Sequence, residues 1–387
     1  MRRFGKWLGR ILLVLVGVAA VTGLWKREEI SRLLTVNSLF SEKNIVYNFS
    51  NMNAAFLHTT LPRGEDPVSV LETGVPMEVT PELETWIAER DVTSLLVLKD
   101  GLVRHEAYYM GTAADDRRIS WSIAKSYLSA LFGILLQEGA IGSLEDPITQ
   151  YAPALAGSAY DGASIRNVLQ MTSGVVFDED YLDYNSDINK MGRTLALGGK
   201  MDEFAAGLSE TYVAPGTEWQ YVSIDTHIVG MVIRGATGRS VSDLLSEKIL
   251  SKLGMEQDGY YLTDGVGVSF VLGGLNFTTR DFARFGQMIL QDGNFQGEQI
   301  VPADWIRAST EASAPTAEGK IGYGYQWWIP VGAHEGEFLG RGIYGQYLYF
   351  DRSRNVLIMT TGADRRFRDD GVNARNIEMF RKIAQSL

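Results

Sequence analysis

The sequence predicts an α/β fold of the α+β kind: an antiparallel sheet assembled from the N- and C-terminal parts, flanked by helices, with a mostly helical lobe between. Three observations carry this. β-branched and aromatic runs occur at Leu95–Leu98 and Leu102–Tyr109, then again at Tyr323–Ile329, Tyr344–Phe350 and Val356–Thr361. Between them, from about 140 to 320, helical periodicity alternates with Gly-, Asp- and Ser-rich loops. At 387 residues with 45% hydrophobic content, the chain can bury a sizeable core.

Arg2, Arg3, Lys6 and Arg10 precede an uncharged, largely apolar run, Ile11 to Trp25, closed by Lys26-Arg27-Glu28-Glu29. That order is expected of an export segment covering residues 1–27, either a signal anchor or a cleaved signal peptide. Positive charge ahead of the run is expected to keep the N-terminus in the cytoplasm and to put the rest of the chain outside, on the periplasmic side, membrane-anchored or secreted if the segment is removed. Residues 28–75 have weak patterning and read as an extension packed on the main domain, 76–387. Within that domain the sheet lobe takes about 76–120 and 321–387, and the helical lobe about 121–320.

Thr80 is placed to cap a helix with Pro81 in its first position and Leu83, Trp86 and Ile87 on its apolar side. Lys99-Asp100-Gly101 between two β-rich runs predicts a hairpin. Next comes the most apolar helical run of the chain, opened by Ser120-Trp121-Ser122-Ile123-Ala124-Lys125-Ser126 and extending to about Gln137. Ser122 and Lys125, three apart, are neighbours in its first turn. A lysine there is poorly placed relative to the helix dipole, and an all-apolar helix is a buried one. Both effects disfavour its charged form, and a neutral amine is what a general base needs. The turn therefore reads as a serine nucleophile with its own base. Later helices are expected at Ser164–Met171, Val241–Leu253, Thr279–Leu290 and about Val372–Ile383.

A second element is Pro215-Gly216-Thr217-Glu218-Trp219-Gln220-Tyr221-Val222-Ser223, ahead of an apolar helical stretch from Ile228 to Ile233. With it the chain resembles the penicillin-recognising serine hydrolases: class C β-lactamases, D,D-peptidases and related esterases. Their motifs are S-x-x-K, Y-x-N or Y-x-S, and a K-T-G-like strand. Ser122-x-x-Lys125 matches the first and Tyr221-Val222-Ser223 the second. Val168-Leu169-Gln170-Met171-Thr172-Ser173-Gly174 is similar to the family's L-L-x-H-T-S-G loop. Tyr184-Asn185-Ser186 is a competing Y-x-S without the Pro-Gly turn or an expected following helix.

The resemblance implies a β-lactamase/D,D-peptidase-like fold over about 80–387 and acyl transfer through a covalent intermediate. Ser122 attacks an ester or amide carbonyl while Lys125, with Tyr221, handles the proton, and Ser223 supports them. The third motif departs from the family. Where K-T-G is expected, the chain has Gly340-Arg341-Gly342-Ile343-Tyr344-Gly345-Gln346. Aligning Gly340-Arg341-Gly342 gives the second oxyanion N–H, beside that of Ser122, to Ile343. Aligning Ile343-Tyr344-Gly345 gives it to Gln346. Gly342, Tyr344 and Gln346 are expected at the substrate. The departure is closest to the aminohexanoate-dimer (nylon-oligomer) hydrolases and esterases of the family, and leaves D,D-peptidase or β-lactamase activity as an alternative.

Other classes are poorer. A net charge of −11 with no basic cluster beyond the N-terminus argues against nucleic acid. Absence of cysteine excludes disulfides and thiol chemistry. His58, His105, His227 and His334 have no metal-ligand spacing. No metal or cofactor is called for, and the expected partner is a small ester, amide or peptide-like substrate, with the membrane as a contact of the N-terminal segment. An anchored non-catalytic binding or sensor protein is the alternative of another class.

Overall fold

Seven antiparallel strands form the main sheet of the computed structural model, which describes residues 2–387. Their order runs Leu102–Tyr108, Val92–Lys99, Val356–Gly362, Gln346–Asp351, Glu337–Gly342, Trp328–Ile329, Gly322–Tyr323. The N- and C-terminal parts meet where Val92–Lys99 pairs with Val356–Gly362. The hairpin around Asp100-Gly101 closes with both residues at positive φ, 55° and 78°, the turn whose twist suits antiparallel strands. Lys99 faces Leu102 in its register.

The run Tyr323–Ile329, expected as one strand, is two short ones. Gly324 lies where a Cβ would stand 2.1 Å from Ser309 O, and Gln326 has φ 67°, so the chain reverses. Buried Gln326 then ties three helices together. Its carbonyl accepts from Ser126 Oγ (2.9 Å), its Oε1 from Thr226 Oγ1 (2.7 Å), and its Nε2 donates to Val168 O and Leu169 O. The run Tyr344–Phe350 is also shorter as a strand, Gln346–Asp351, because Ile343–Gly345 is a tight turn with Tyr344 at φ 60°.

Helices flank the sheet. Pro81–Glu89 is capped as its sequence predicts, with Leu83 N donating to Thr80 Oγ1 at 3.2 Å. It packs with Val372–Ser386 on one face, Trp86 meeting Phe380 edge-on. Thr279–Leu290 covers the other face, close enough that a Cβ on Gly286 would touch Leu357 and Leu348. That helix was expected in the helical lobe; its buried Phe282, Phe285, Met288 and Ile289 place it on the sheet. Ala124–Gln137 runs through the centre, Ser223–Thr237 and Val241–Lys248 pack against it, and Ile165–Leu169 packs on Ser223–Thr237.

A second sheet orders as His58–Leu61, Gly259–Leu262, Leu275–Phe277, Arg118–Ile119. Through its first strand the extension, residues 28–75, joins the body, as Thr73 does by bridging Val103. Leu39, Ile45, Phe49, Met52 and Phe56 are buried in the same core as the central helix.

Arg2–Trp25 is one continuous helix, while Met1 lies outside the described residues. Among the described residues, no helix is long and apolar enough to cross a membrane. The run Ile11–Trp25 lies within the helix Arg2–Trp25. Its 15 residues rise only about 22 Å as a helix, against roughly 30 Å of bilayer hydrocarbon. Extending the helix toward its N-terminus brings in Arg10 and Lys6.

Candidate active site

The central helix begins with a single 3-10 turn, Trp121–Ile123, whose position is set from behind. Ser120 N donates to Leu275 O at 2.8 Å, and Trp121 takes φ 43°, a left-handed conformation that a bulky residue adopts only when its surroundings hold it. Phe49 (5.5 Å) and Phe40 (5.9 Å) pack on the Trp121 ring, and Phe40 stacks on Tyr344 at 5.0 Å and 11°. The aromatic side chains of the extension thus clamp residues adjoining both Ser122 and Ile343.

Lys125 is 1% exposed, and its Nζ lies 3.3 Å from Ser122 Oγ. Nζ also donates to Leu272 O at 2.7 Å. Burial takes its pKa from 10.5 down to about 7, with the charges of Glu179 and Asp225 opposing the fall. A neutral amine committed to Leu272 O through one N–H keeps its lone pair for the Ser122 proton. In the fold, the S-x-x-K pair is thus a hydroxyl beside a desolvated amine that is half-deprotonated near neutral pH.

Tyr221 lines a cavity together with Ser122. Its ring stacks on Trp328 at 4.9 Å, and Lys125 Nζ is 5.6 Å from the ring centroid. Burial raises the phenol pKa above its usual value and the Glu179 charge adds to this, while hydrogen bonding with Ser122 and Ser223 and the Arg341 charge lower it. The phenol stays protonated at neutral pH and is able to give a proton. Ser223, two residues after Tyr221, opens the helix Ser223–Thr237. The competing Tyr184 is 70% exposed, with Arg193 over its ring at 4.0 Å. A helix, Asp187–Ala196, does follow it, capped by Ser186, contrary to the sequence expectation.

The strand Glu337–Gly342 reaches the Ser122 turn at Gly342. A Cβ there would stand 2.6 Å from Ser120 O and 2.9 Å from Trp121 Cβ, so only glycine permits the approach. Ile343 follows and lines the same cavities as Ser122. Gln346 is fully buried and braces the turn from behind. Its Nε2 donates to Ile343 O, Tyr344 O and Gly362 O at 3.0–3.1 Å, and its Oε1 accepts from Gly362 N. Tyr344 turns away into the aromatic cluster with Phe40, Phe49 and Phe367. Tyr344 and Gln346, expected at the substrate, are thus placed behind the site, because the reversal at Tyr344 points the turn inward. Arg341 stacks on Trp328 at 3.9 Å.

Sequence reasoning missed Glu179 and Tyr181. Tyr181 Oη donates to Glu179 Oε2 at 2.8 Å, and Ser223 N donates to Glu179 Oε1. Burial raises the Glu179 pKa, opposed by the Ser223 N–H and by Lys125. In the sequence Glu179 sits in the acidic stretch Asp178-Glu179-Asp180 and Tyr181 follows it, with no motif to single out either. Asp225, also missed, is buried, accepts from Tyr160 Oη and Ser173 Oγ, and is raised to about 7 by burial. The Thr172-Ser173-Gly174 resemblance was its one available signal.

Fold and site together define a serine hydrolase of the penicillin-recognising type. A sequence profile described as beta-lactamase matches residues 87–378, and the chain belongs to that family. Among named relatives, the 6-aminohexanoate-dimer hydrolase of Paenarthrobacter ureafaciens is 32% identical over 321 residues, covering 78% of this chain and 81% of the relative. A beta-lactamase of Pseudomonas fluorescens is 24% identical over 48% of this chain and 50% of its own length. In fold, the chain is similar to a Bacillus anthracis protein provisionally assigned as a 6-aminohexanoate-dimer hydrolase, at TM-score 0.80 and 24% identity over 89% of this chain and 95% of that one. A D-stereospecific amidohydrolase from Streptomyces sp. has TM-score 0.57 and 20% identity over 73% and 92%.

Proposed function

We propose that the chain hydrolyses esters or amides through an acyl-enzyme on Ser122, with Lys125 as base and Tyr221 as proton carrier. The observation that carries this is the buried Lys125 amine, 3.3 Å from Ser122 Oγ and shifted to about 7. Neutral Lys125 takes the hydroxyl proton as Oγ bonds to the carbonyl carbon. The carbonyl oxygen, now negative, is held by the N–H groups of Ser122 and Ile343, each such donor typically worth about 10²–10³ in rate. The resulting ammonium passes a proton through Tyr221 to the departing oxygen or nitrogen, and the bond to the leaving group breaks. Water then enters and gives a proton to the same network as its oxygen bonds to the acyl carbon; the bond to Oγ breaks, the proton returns to Ser122, and the acid leaves.

Placement of Ile343 beside Ser122, with Gln346 behind the turn, favours Ile343 as the second oxyanion donor. Glu179 accepts from both Tyr181 Oη and Ser223 N, which ties this loop to the start of the helix Ser223–Thr237 beside Tyr221. The test is Ser122→Ala, which abolishes fluorophosphonate labelling and p-nitrophenyl ester hydrolysis; retained activity removes Ser122 from the mechanism. Trapping of a fluorescent penicillin at Ser122 would instead support the lactam-directed alternative. The export reading rests on the basic residues ahead of Ile11–Trp25, and a body shielded from external protease in spheroplasts rejects it.

A further inference from the structure

Ser122 and Ile343 sit at the junction of two cavities that differ in polarity. One, about 300 Å³, carries Tyr221, Glu179, Arg341, Arg368 and Asn373 among aromatic rings such as Trp328 and Phe367. The other, about 420 Å³, is walled by Leu39, Phe40, Met52 and Phe56 of the extension and by Ile188 and Leu195 of the helix Asp187–Ala196. Among its lining residues the one charged side chain is Arg193, and no carboxylate is present. Part of this wall, the residues before Phe56 included, comes from sequence ahead of residue 87, where the family match begins.

Resting on the covalent mechanism above, the geometry points to the apolar cavity as an acyl chamber for an uncharged hydrocarbon chain, with the polar cavity receiving the leaving group. The orientation follows from Tyr221. A proton donor to the leaving group must stand on the leaving group's side of the nucleophile, and Tyr221 lines the polar cavity but not the apolar one. The acyl carbon chain therefore extends the other way, between the extension and the helix Asp187–Ala196. At about 30 Å³ per water-sized group, 420 Å³ is room for up to about fourteen methylene-sized groups, enough for an octanoyl chain. A chain ending in an ammonium would meet Arg193 with no carboxylate to pair it, and would lose its hydration. The chain's acyl specificity is thus for fatty rather than aminoacyl groups, and the extension is part of the substrate site.

The experiment compares kcat/KM of the full chain on p-nitrophenyl esters from acetyl to decanoyl, on ethyl octanoate against octyl acetate, and on hexanoyl against 6-aminohexanoyl p-nitroanilide. Expected are a rise of about threefold per methylene up to octanoyl, and at least a tenfold preference for ethyl octanoate and for the hexanoyl anilide. Met191→Trp, which fills the chamber, moves the optimum to shorter acyl chains. Where turnover is slow, intact mass after octanoyl or 6-aminohexanoyl ester gives the same comparison as adduct formed. A flat acyl series, a preference for octyl acetate, or a preference for 6-aminohexanoyl overturns the chamber while Ser122-dependent turnover leaves the mechanism standing. Turnover persisting in Ser122→Ala, or no adduct from any ester, overturns the mechanism and the chamber with it.

Discussion

Replacing Lys125 with methionine should inactivate the protein and stabilise it, and the stabilisation should depend on pH in a stated direction. In the fold, the amine has one hydrogen bond besides the Ser122 contact, to Leu272 O, and a pKa lowered from 10.5 to about 7 by burial. The unfolded chain binds the proton more tightly than the folded one across that window, so stability rises with pH between about 7 and 10.5, and below 7 the whole penalty is present. A fall of 3.5, from 10.5 to 7, at about 1.36 kcal/mol per unit sets an upper limit of about 5 kcal/mol. Methionine removes that penalty but leaves Leu272 O without its donor, a loss of about 1–3 kcal/mol. Lys125→Met should therefore be more stable than the wild type by up to a few kcal/mol at pH 7, and the difference should shrink as pH approaches 10.5. Urea unfolding at pH 7, 8, 9 and 10 measures it, alongside kcat on a p-nitrophenyl ester, expected to fall about 10²–10⁴-fold. A stability difference that does not change with pH, or a variant with near-normal kcat, refutes the reasoning.

Wild-type kcat/KM should rise with pH through an apparent pKa near 7 as Lys125 loses its proton, and a flat profile from pH 5.5 to 8.5 removes Lys125 as the base. Glu179→Gln takes away the carboxylate charge that holds the Lys125 pKa up, so this acid limb should move to lower pH; a move upward contradicts the electrostatic role. Tyr221→Phe should lower kcat about 10²–10³-fold with KM changed less than threefold, since it removes a proton carrier rather than binding surface. Gly342→Ala places a methyl 2.6 Å from Ser120 O, and should cost about 1–3 kcal/mol in urea unfolding together with most of the activity; full activity would mean the strand does not set the nucleophile turn.

Several parts were legible in the chain because they depend on neighbours in sequence. The Asp100-Gly101 turn, the Thr80-Pro81 cap and the apolar run through Gln137 each need only local geometry, and each stands where the pattern puts it. The Ser122–Lys125 spacing likewise fixes two side chains on one helical turn. By contrast, Gln326 and Tyr344 take left-handed φ under tertiary constraint, which shortened two expected strands and turned Tyr344 and Gln346 away from the substrate side. Nothing local marks Glu179, because its burial comes from tertiary packing in which Ser223, 44 residues away, donates to it beside Tyr181.

The sequence by itself determined that a hydroxyl and an amine share a helical turn, that this turn opens a buried helix, and that two ends of the chain supply one sheet. Those follow from period, propensity and spacing, which act over a few residues. Only the tertiary structure decided the rest: how far burial lowers the amine, which glycine lets a distant strand reach the nucleophile, and that the extension walls the cavity beside Ser122. Each depends on groups brought within a few ångströms from remote positions, and desolvation and close contact exist only once they are.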